Sequence, residues 1–225
     1  MSTLLRGTGR AYLLSAPALV LFAGLLLAPL ALTLALSFNV FDYETGIKEG
    51  SYTLAHYLSL LGDPYFYEIF LRTFWISALV TLLCVLIGVP EAIVLSRMGA
   101  PWRSIFLILV LTPLLISVVV RAFGWSLLLG ADGLVNQAIV ALGGRPLKLL
   151  YTPFAVVVGL VHVMLPFMII PVWTSLQKLD PAAEQAALSL GASHLTVLRR
   201  IVLPQVMPGV LSGTLIVFGL AASSF

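Results

Sequence analysis

The stretch that decides the fold reads DPAAEQAALSLGASHLTVLRRIVLP and runs from Asp180 to Pro204. Asp180 predicts the start of a helix, because a carboxylate there can accept a hydrogen bond from an unpaired backbone N–H group. Pro181 follows at a position where its fixed φ and missing N–H do no harm. A run of helix-favouring residues then ends at Gly191, which readily adopts the left-handed conformation that closes a helix. We call residues 180–204 the elbow.

The rest of the elbow predicts a second helix. Ser193 is its expected N-cap, and Arg199 and Arg200 place positive charge near its negative C-terminal end. Pro204 is expected to end this helix, because proline lacks a donor and its ring clashes with the preceding turn. In the first helix, a face of small residues lets another surface approach closely; it consists of Ala182, Ala183, Ala186 and Ala187.

The elbow resembles the EAA loop in permease subunits of ATP-binding-cassette (ABC) importers. That pattern is Glu-Ala-Ala, three residues, glycine, nine residues and Ile-x-Leu-Pro, and the chain keeps its spacing. It departs from the pattern with glutamine at the glutamate position and a carboxylate one residue earlier. The resemblance implies a loop that docks into a groove on a cytoplasmic ATPase, through Glu184, Gln185, Ala186, Ala187, Gly191, Ile201, Leu203 and Pro204.

Two other interpretations of the elbow stay open. Two helices around a glycine, ending in Arg-Arg, also occur in DNA-binding helix-turn-helix domains. Such a domain needs a third helix and a soluble core, whereas apolar stretches flank this unit closely on both sides. A generic cytoplasmic loop is the second alternative.

Composition predicts an integral membrane protein. The 225 residues are 60% hydrophobic and 9% charged, against about 25% charged in globular proteins. The formal net charge of +3 comes mainly from loops and implies no nucleic-acid partner. Cys84 is the only cysteine, which excludes a disulfide framework and a cysteine metal cluster. The sequence has no Walker-type phosphate-binding loop, so any ATP must be bound by another chain.

The apolar pattern predicts an all-α, polytopic fold with five spans across the ~30 Å hydrocarbon core. We place them at residues 10–42, 69–95, 105–120, 149–173 and 206–225. The first is expected to be an uncleaved anchor, because no small-x-small exit follows it. Residues 122–131 either continue the third span or break from it. Polar loops are predicted at 42–68 and 132–148, which divides the chain into residues 1–68 and a transmembrane domain, 69–225.

The positive charges predict the orientation. With the N-terminus in the cytoplasm, seven of the twelve Lys and Arg residues lie on that side, as the positive-inside rule favours. The N-terminus and the elbow are then both cytoplasmic, in a multi-pass protein of the bacterial inner membrane.

Two more segments resemble the spermidine/putrescine branch of these permeases, one from Val120 to Asn136 and one from Val161 to Pro171. The Arg-x-Phe-x-Trp element at Arg121 favours polyamines over sugars or amino acids, although related members carry ferric iron, thiamine, sulfate, opines or phosphonates. The resemblance implies a type-1 ABC importer permease fold with five of six helices present, and truncation at Phe225.

The resemblance also implies partners. Two permease subunits enclose a path, a periplasmic binding protein delivers the solute, and an ATPase dimer holding ATP and Mg²⁺ powers alternating access. The chain itself is expected to bind no cofactor or metal and to catalyse no reaction.

Three residues are candidates for the solute path. Glu91 lies in a predicted span, where a charge is costly and indicates function; it attracts a cationic solute, pairs with Arg97 or snorkels. Trp125 lines the path or anchors the chain at the interface. Asp132 is an acidic contact or a solvated turn residue. His162 is expected to form a helix–helix hydrogen bond.

Two other function classes remain as alternatives. A secondary transporter or channel would show repeats with discontinuous helices, and the sequence has no visible internal repeat. A membrane-embedded enzyme would need a paired polar constellation, whereas the three histidines lie in different segments, at His56, His162 and His194.

Overall fold

The computed structural model describes residues 4–42 and 46–224, with side-chain surroundings for residues 14–40 and 52–224. The described chain is helical apart from one β-hairpin and packs into two units, Met1–Glu68 and Ile69–Phe225. Five of its helical stretches are long and apolar enough to cross a bilayer, and they are Leu14–Ser37, Pro64–Arg97, Val118–Ala141, Pro153–Leu176 and His194–Ala222.

The first unit begins with α1 (Leu4–Ser37), which bears the anchor predicted from the sequence. The predicted polar loop after it holds structure that the sequence did not indicate: an antiparallel hairpin and a short helix, β1 (Asn39–Asp42), β2 (Gly46–Tyr52) and α2 (Ala55–Gly62). The Tyr57 ring stacks at 5.5 Å from the ring of Phe38, and its hydroxyl lies 2.5 Å from the Ser37 hydroxyl. These contacts fix α2 against the end of α1.

The remaining helices are α3 (Pro64–Arg97), α4 (Trp102–Leu115), α5 (Val118–Leu129), α6 (Leu134–Ala141), α7 (Pro153–Leu176), α8 (Pro181–Ser189), α9 (His194–Val197) and α10 (Leu203–Ala222), with a π-helical segment, Leu198–Val202, between the last two. The core lies among α3, α7 and α10. It contains side chains that are fully buried, among them Val80, Cys84, Met168, Val172, Val206 and Val217.

Glycines allow α7 to pack closely against its neighbours. A Cβ on Gly88 of α3 would lie 2.9 Å from Met168 Cγ, and a Cβ on Gly213 of α10 would lie 2.8 Å from Met168 Sδ. A Cβ on Gly209 would lie 2.7 Å from the Pro171 carbonyl oxygen. Gly209 and Gly213 form a G-x-x-x-G pair, the pattern that brings membrane helices together. The sequence therefore carries a signal for the α7–α10 contact in this glycine spacing.

The third predicted span, 105–120, is wrong in its bounds. Helix α4 ends at Leu115, Ile116 is extended with ψ 134°, and α5 starts at Val118, so the chain breaks before Arg121. Pro113 lies in the last turn of α4, and the Arg121 Nη1 group donates to its carbonyl oxygen at 2.8 Å. A positive group at the carbonyl end of a helix offsets the unpaired acceptors and the helix dipole there. Arg121 therefore caps the C-terminal end of α4.

Candidate functional site

The first helix of the elbow starts and ends as predicted. The Ala182 N–H group donates to Asp180 Oδ1 at 2.9 Å, and α8 begins at Pro181. At its other end Gly191 has a φ of +87°, and its N–H donates to the Leu188 carbonyl at 3.0 Å. The Ala192 N–H reaches back to the Ala187 carbonyl at 3.0 Å. This pair of bonds is a Schellman motif, which closes α8 and turns the chain.

The second helix of the elbow is capped as predicted but does not end as predicted. Ser193 Oγ accepts from the Thr196 N–H at 3.3 Å, and α9 follows. We expected Pro204 to stop this helix and a new span to start at Val206; instead the chain stays helical from His194 to Ala222. The π-helical segment explains this, because the Leu203 N–H donates to the Leu198 carbonyl, five residues back. The wider turn accommodates Pro204 without a break.

An ion pair ties the elbow to the end of α3. Arg97 Nη2 lies 3.0 Å from Glu184 Oε2, with the two side chains 56% and 25% exposed. The interpretation that pairs Arg97 with Glu91 is therefore wrong. The pair also distinguishes the two polar residues at the start of the motif. Glu184 is half-buried and bound to Arg97, whereas Gln185 is exposed and forms no ion pair within the described chain.

The outer surface of α8 is free of contacts with the described chain. Leu190, which directly follows α8, is 89% exposed, and Gln185 is exposed as well. Three of the four alanines in the predicted small-residue face are also exposed, namely Ala182, Ala183 and Ala186. Ala187 is the exception, because it turns inward and packs against the core. The exposed face is therefore narrower than predicted.

The C-terminal residues of the motif connect the elbow to the core. Ile201 and Leu203 are half-buried and pack against the hydrophobic core, while Pro204 is exposed. Val202 between them is fully buried. The elbow thus has an exposed face on α8, while its C-terminal residues 201–203, which we call its root, are packed against the core.

A second candidate site is a cavity of about 260 Å³ among α3, α4 and α7. Glu91 and His162 line it, together with Thr112 and with apolar residues of α4 and α7. Glu91 is half-buried, and within the described chain no side chain or backbone group pairs with its carboxylate. The sequence predicted Glu91 as a path residue but did not indicate its neighbours.

Trp125 adjoins this cavity through His162. The two rings meet edge to face with centroids 5.5 Å apart. His162 forms no hydrogen bond in the described part of the chain, and its Nδ1 atom is buried without a partner. The expected helix–helix hydrogen bond of His162 is therefore wrong, and a ring contact stands in its place.

Asp132 lies apart from both sites. It is exposed in the segment between α5 and α7, where its backbone carbonyl accepts from Gln137 Nε2 at 2.8 Å. The structure therefore brings Glu91 and Trp125 together around His162 but leaves Asp132 elsewhere. In the described residues, no group of three or more His, Cys, Asp or Glu side chains is arranged to hold a metal ion.

The chain has clear relatives among known proteins, although no family model matches it. It is 35% identical over 201 residues to the spermidine/putrescine transport system permease protein PotB of Escherichia coli K12, covering 88% of this chain and 71% of that one. It is 31% identical over 202 residues to the inner membrane ABC transporter permease protein YdcU of the same organism, with coverage of 84% and 64%. The chain belongs to the ABC importer permease family.

The fold of this permease agrees with that assignment. It superimposes on a bacterial ABC transporter involved in the import of the acidic polysaccharide alginate with a TM-score of 0.71, at 20% identity, covering 98% of this chain and 77% of that one. A second structure of the bacterial alginate ABC transporter, in complex with a periplasmic protein bound to an alginate pentasaccharide, gives a TM-score of 0.70. At this identity the likeness concerns the fold, which is that of a polytopic importer permease.

Sequence reasoning missed one residue that shapes the permease between α5 and α7. Asn136 is 2% exposed. Its Nδ2 donates to the carbonyls of Gly130 and Leu147, both at 2.9 Å, and its Oδ1 accepts from the Leu147 N–H at 2.8 Å. One amide thereby joins Gly130 to Leu147, on either side of α6, in a region where the sequence predicts only a polar loop. The signal available was a single asparagine inside the apolar helix α6.

Proposed function

We propose that this permease subunit forms half of a solute path across the membrane and is coupled through its elbow to a cytoplasmic ATPase. The observation that carries the proposal is the open face of α8. It exposes small residues and one large apolar side chain, Leu190, at the end of a helix pair whose root is buried. Small residues allow a groove on a partner to approach the backbone, and an exposed leucine is a typical anchor for such a groove.

The elbow is built to pass displacement to the spans. Its second helix runs without interruption into α10, and Ile201 and Leu203 pack against the core at the junction. A packed helix moves as a rigid body when its end is pushed. A partner that moves α8 therefore moves α10, and with α10 the helices packed on it.

In this proposal, other chains supply the remaining components of the transporter. An ATPase dimer holds ATP and Mg²⁺, so the permease itself binds no nucleotide and hydrolyses none. A second permease subunit completes the path. A periplasmic binding protein delivers the solute, and a bound periplasmic protein in the alginate transporter supports this part.

The proposed solute is a polyamine such as spermidine or putrescine, or a related small solute. The support is the 35% identity to a spermidine/putrescine permease over 88% of this chain. The proposed location is the bacterial inner membrane, with the N-terminus and the elbow in the cytoplasm, in line with the distribution of Lys and Arg.

A labelling experiment tests the position and role of the elbow. Leu190 and Leu142 are 89% and 88% exposed, and each follows the last turn of a short helix, at opposite ends of α7. Cys84 is buried, so it leaves a low background. We expect a membrane-impermeant maleimide to label L190C only in inside-out vesicles and L142C only in intact cells. Co-expression of the ATPase should protect L190C alone.

Comparison of L190C with L142C tests both the side of the membrane and the docking role of the elbow. Labelling of L190C from outside intact cells would place the elbow on the wrong side of the membrane and end the coupling proposal. Labelling of L190C from inside, at an equal rate with and without the ATPase, would remove its docking role.

A further inference from the structure

The cavity among α3, α4 and α7 contains two polar groups that lack partners. Glu91 has no ion pair or hydrogen bond within the described chain, and His162 Nδ1 is buried without one. Carboxylates inside membrane spans are costly and as a rule pair with another charge or a ligand. Polar atoms buried in proteins are likewise almost always hydrogen-bonded. Two such exceptions lining one cavity indicate that something else satisfies them.

Arg97 and Arg121 both bind partners other than Glu91. Arg97, six residues after Glu91 on the same helix, forms its ion pair with Glu184. Arg121 donates to the carbonyl of Pro113, another residue lining the cavity. Neither guanidinium forms an ion pair with Glu91, so its carboxylate lines the cavity without a cation bound to it.

The other polar groups lining the cavity fit a donor. Thr112 Oγ1 donates its proton to the Ile108 carbonyl at 2.8 Å, which leaves its oxygen lone pairs to accept. His162 offers a ring nitrogen, and its ring is held by the edge-to-face contact with Trp125. A primary ammonium carries three N–H donors and no acceptor. The set of carboxylate, hydroxyl and imidazole nitrogen therefore matches one protonated amine.

We propose that this cavity binds a protonated amino group of the transported solute on its way through the permease. Its volume of about 260 Å³ is several times the share of one water molecule, about 30 Å³, and admits an aminoalkyl chain. The apolar residues of α4 and α7 that line it, Leu109, Val110, Leu165 and Ile169, suit the methylenes of such a chain. This inference rests on the proposed function and names the part of the solute that the path recognises.

The test is uptake of radiolabelled spermidine by the complete transporter in proteoliposomes, at matched amounts of complex. We expect E91Q to lower kcat/KM at least about tenfold, as for the loss of a hydrogen bond to a charged group. E91D keeps the charge and should retain more activity than E91Q. The matched control is E68Q, which removes the other, exposed glutamate of α3 and should leave uptake unchanged.

Three outcomes of these uptake measurements would overturn the amine site. Equal kcat/KM for E91Q and the wild type overturns the cavity as an amine site, and so does an equal loss in E91Q and E91D, since the charge would then not matter. A loss in E68Q as large as in E91Q overturns it too. Absence of ATP-dependent spermidine uptake by the wild type is a different failure, because it removes the proposed solute and this inference with it.

Discussion

Two short helices at opposite ends of α7 finish in the same way. At the end of α6, the N–H groups of Gly143 and Gly144 donate to the Val140 and Ile139 carbonyls, each at 2.9 Å. Helix α8 ends with the equivalent pair of bonds around Gly191. The two glycines have φ values of +82° and +87°, and a Cβ on either would meet nothing within 4 Å. The local chemistry of the two helix ends is therefore the same.

The two helices differ in how they are held to the rest of the protein. Helix α6 is fixed by a buried amide, Asn136, through three hydrogen bonds. Helix α8 has no fully buried residue; its half-buried Ala187 packs against the core, and an ion pair whose arginine is 56% exposed ties it to α3. A buried amide network is costly to break, whereas exposed ion pairs contribute little. We therefore expect the loop that contains α6 to open less readily than the elbow, whose lighter attachment suits the coupling role proposed for it.

The largest expected effect comes from placing the same backbone strain at both glycines. A β-branched residue at positive φ costs at least about 1–2 kcal/mol, because its Cβ comes too close to the carbonyl oxygen that follows it, even where the surroundings are open. We expect G191V to reduce transport-coupled ATPase activity of the complex by about tenfold or more, since the elbow can no longer hold its turn. G143V introduces equal strain at the other end of α7 and should leave the coupling intact.

Replacement of Gly191 by asparagine should partly preserve the coupling. Asparagine tolerates the left-handed conformation better than other residues with a side chain, so G191N should couple better than G191V. Unchanged coupled ATPase activity in G191V would contradict the role assigned to the elbow. An equal loss in G143V would mean that the assay responds to stability alone.

A smaller effect is expected in the loop that contains α6. N136A leaves three backbone groups of Gly130 and Leu147 without their partner, and we expect it to lower the free energy of unfolding by about 2–3 kcal/mol. Thermal unfolding of the purified permease measures this. Q137A is the neighbouring control, because Gln137 is exposed and makes one hydrogen bond to a backbone carbonyl. If N136A lowered the free energy of unfolding no more than Q137A does, the proposed difference between the attachment of α6 and that of α8 would be lost.

The smallest effect is expected at the ion pair. E184Q should change the free energy of unfolding by about 0–1 kcal/mol, the range of exposed pairs. Hydrogen exchange in α8 should nevertheless rise in E184Q, and added salt should raise it in the wild type toward the same level, because salt screens exposed charges. If α8 exchanged as slowly in E184Q as in the wild type at low salt, other contacts would be holding the elbow.

Features set by neighbours in the chain were predictable from the sequence. The caps at Asp180 and Ser193 and the turn at Gly191 depend on a few adjacent residues, and they were predicted correctly. Four of the five apolar spans were also recognisable, because a bilayer requires long hydrophobic runs, whereas the third was misplaced across the break between α4 and α5. The permease family followed from spacing within the elbow and is confirmed by the relatives.

Features set by distant residues were not predictable in the same way. Glu184 and Arg97 are 87 residues apart, and nothing in either segment indicates the other. At the break between α4 and α5, Arg121 reaches back eight residues to the Pro113 carbonyl. The continuity of α9 into α10 accompanies a widened turn that proline rules do not anticipate. Glu91 was visible as a charge in a span, but its cavity needs helices from three parts of the chain.

The close packing of Met168 against Gly88 and Gly213 limits which substitutions these three positions can accept. The Met168 side chain fills the notches that Gly88 leaves on α3 and Gly213 leaves on α10. A larger residue at either notch requires a shorter one at position 168, so the three positions are expected to vary as a set among descendants. Methionine bends more easily than branched side chains, which gives this meeting point tolerance for small drift in each helix without a loss of fit.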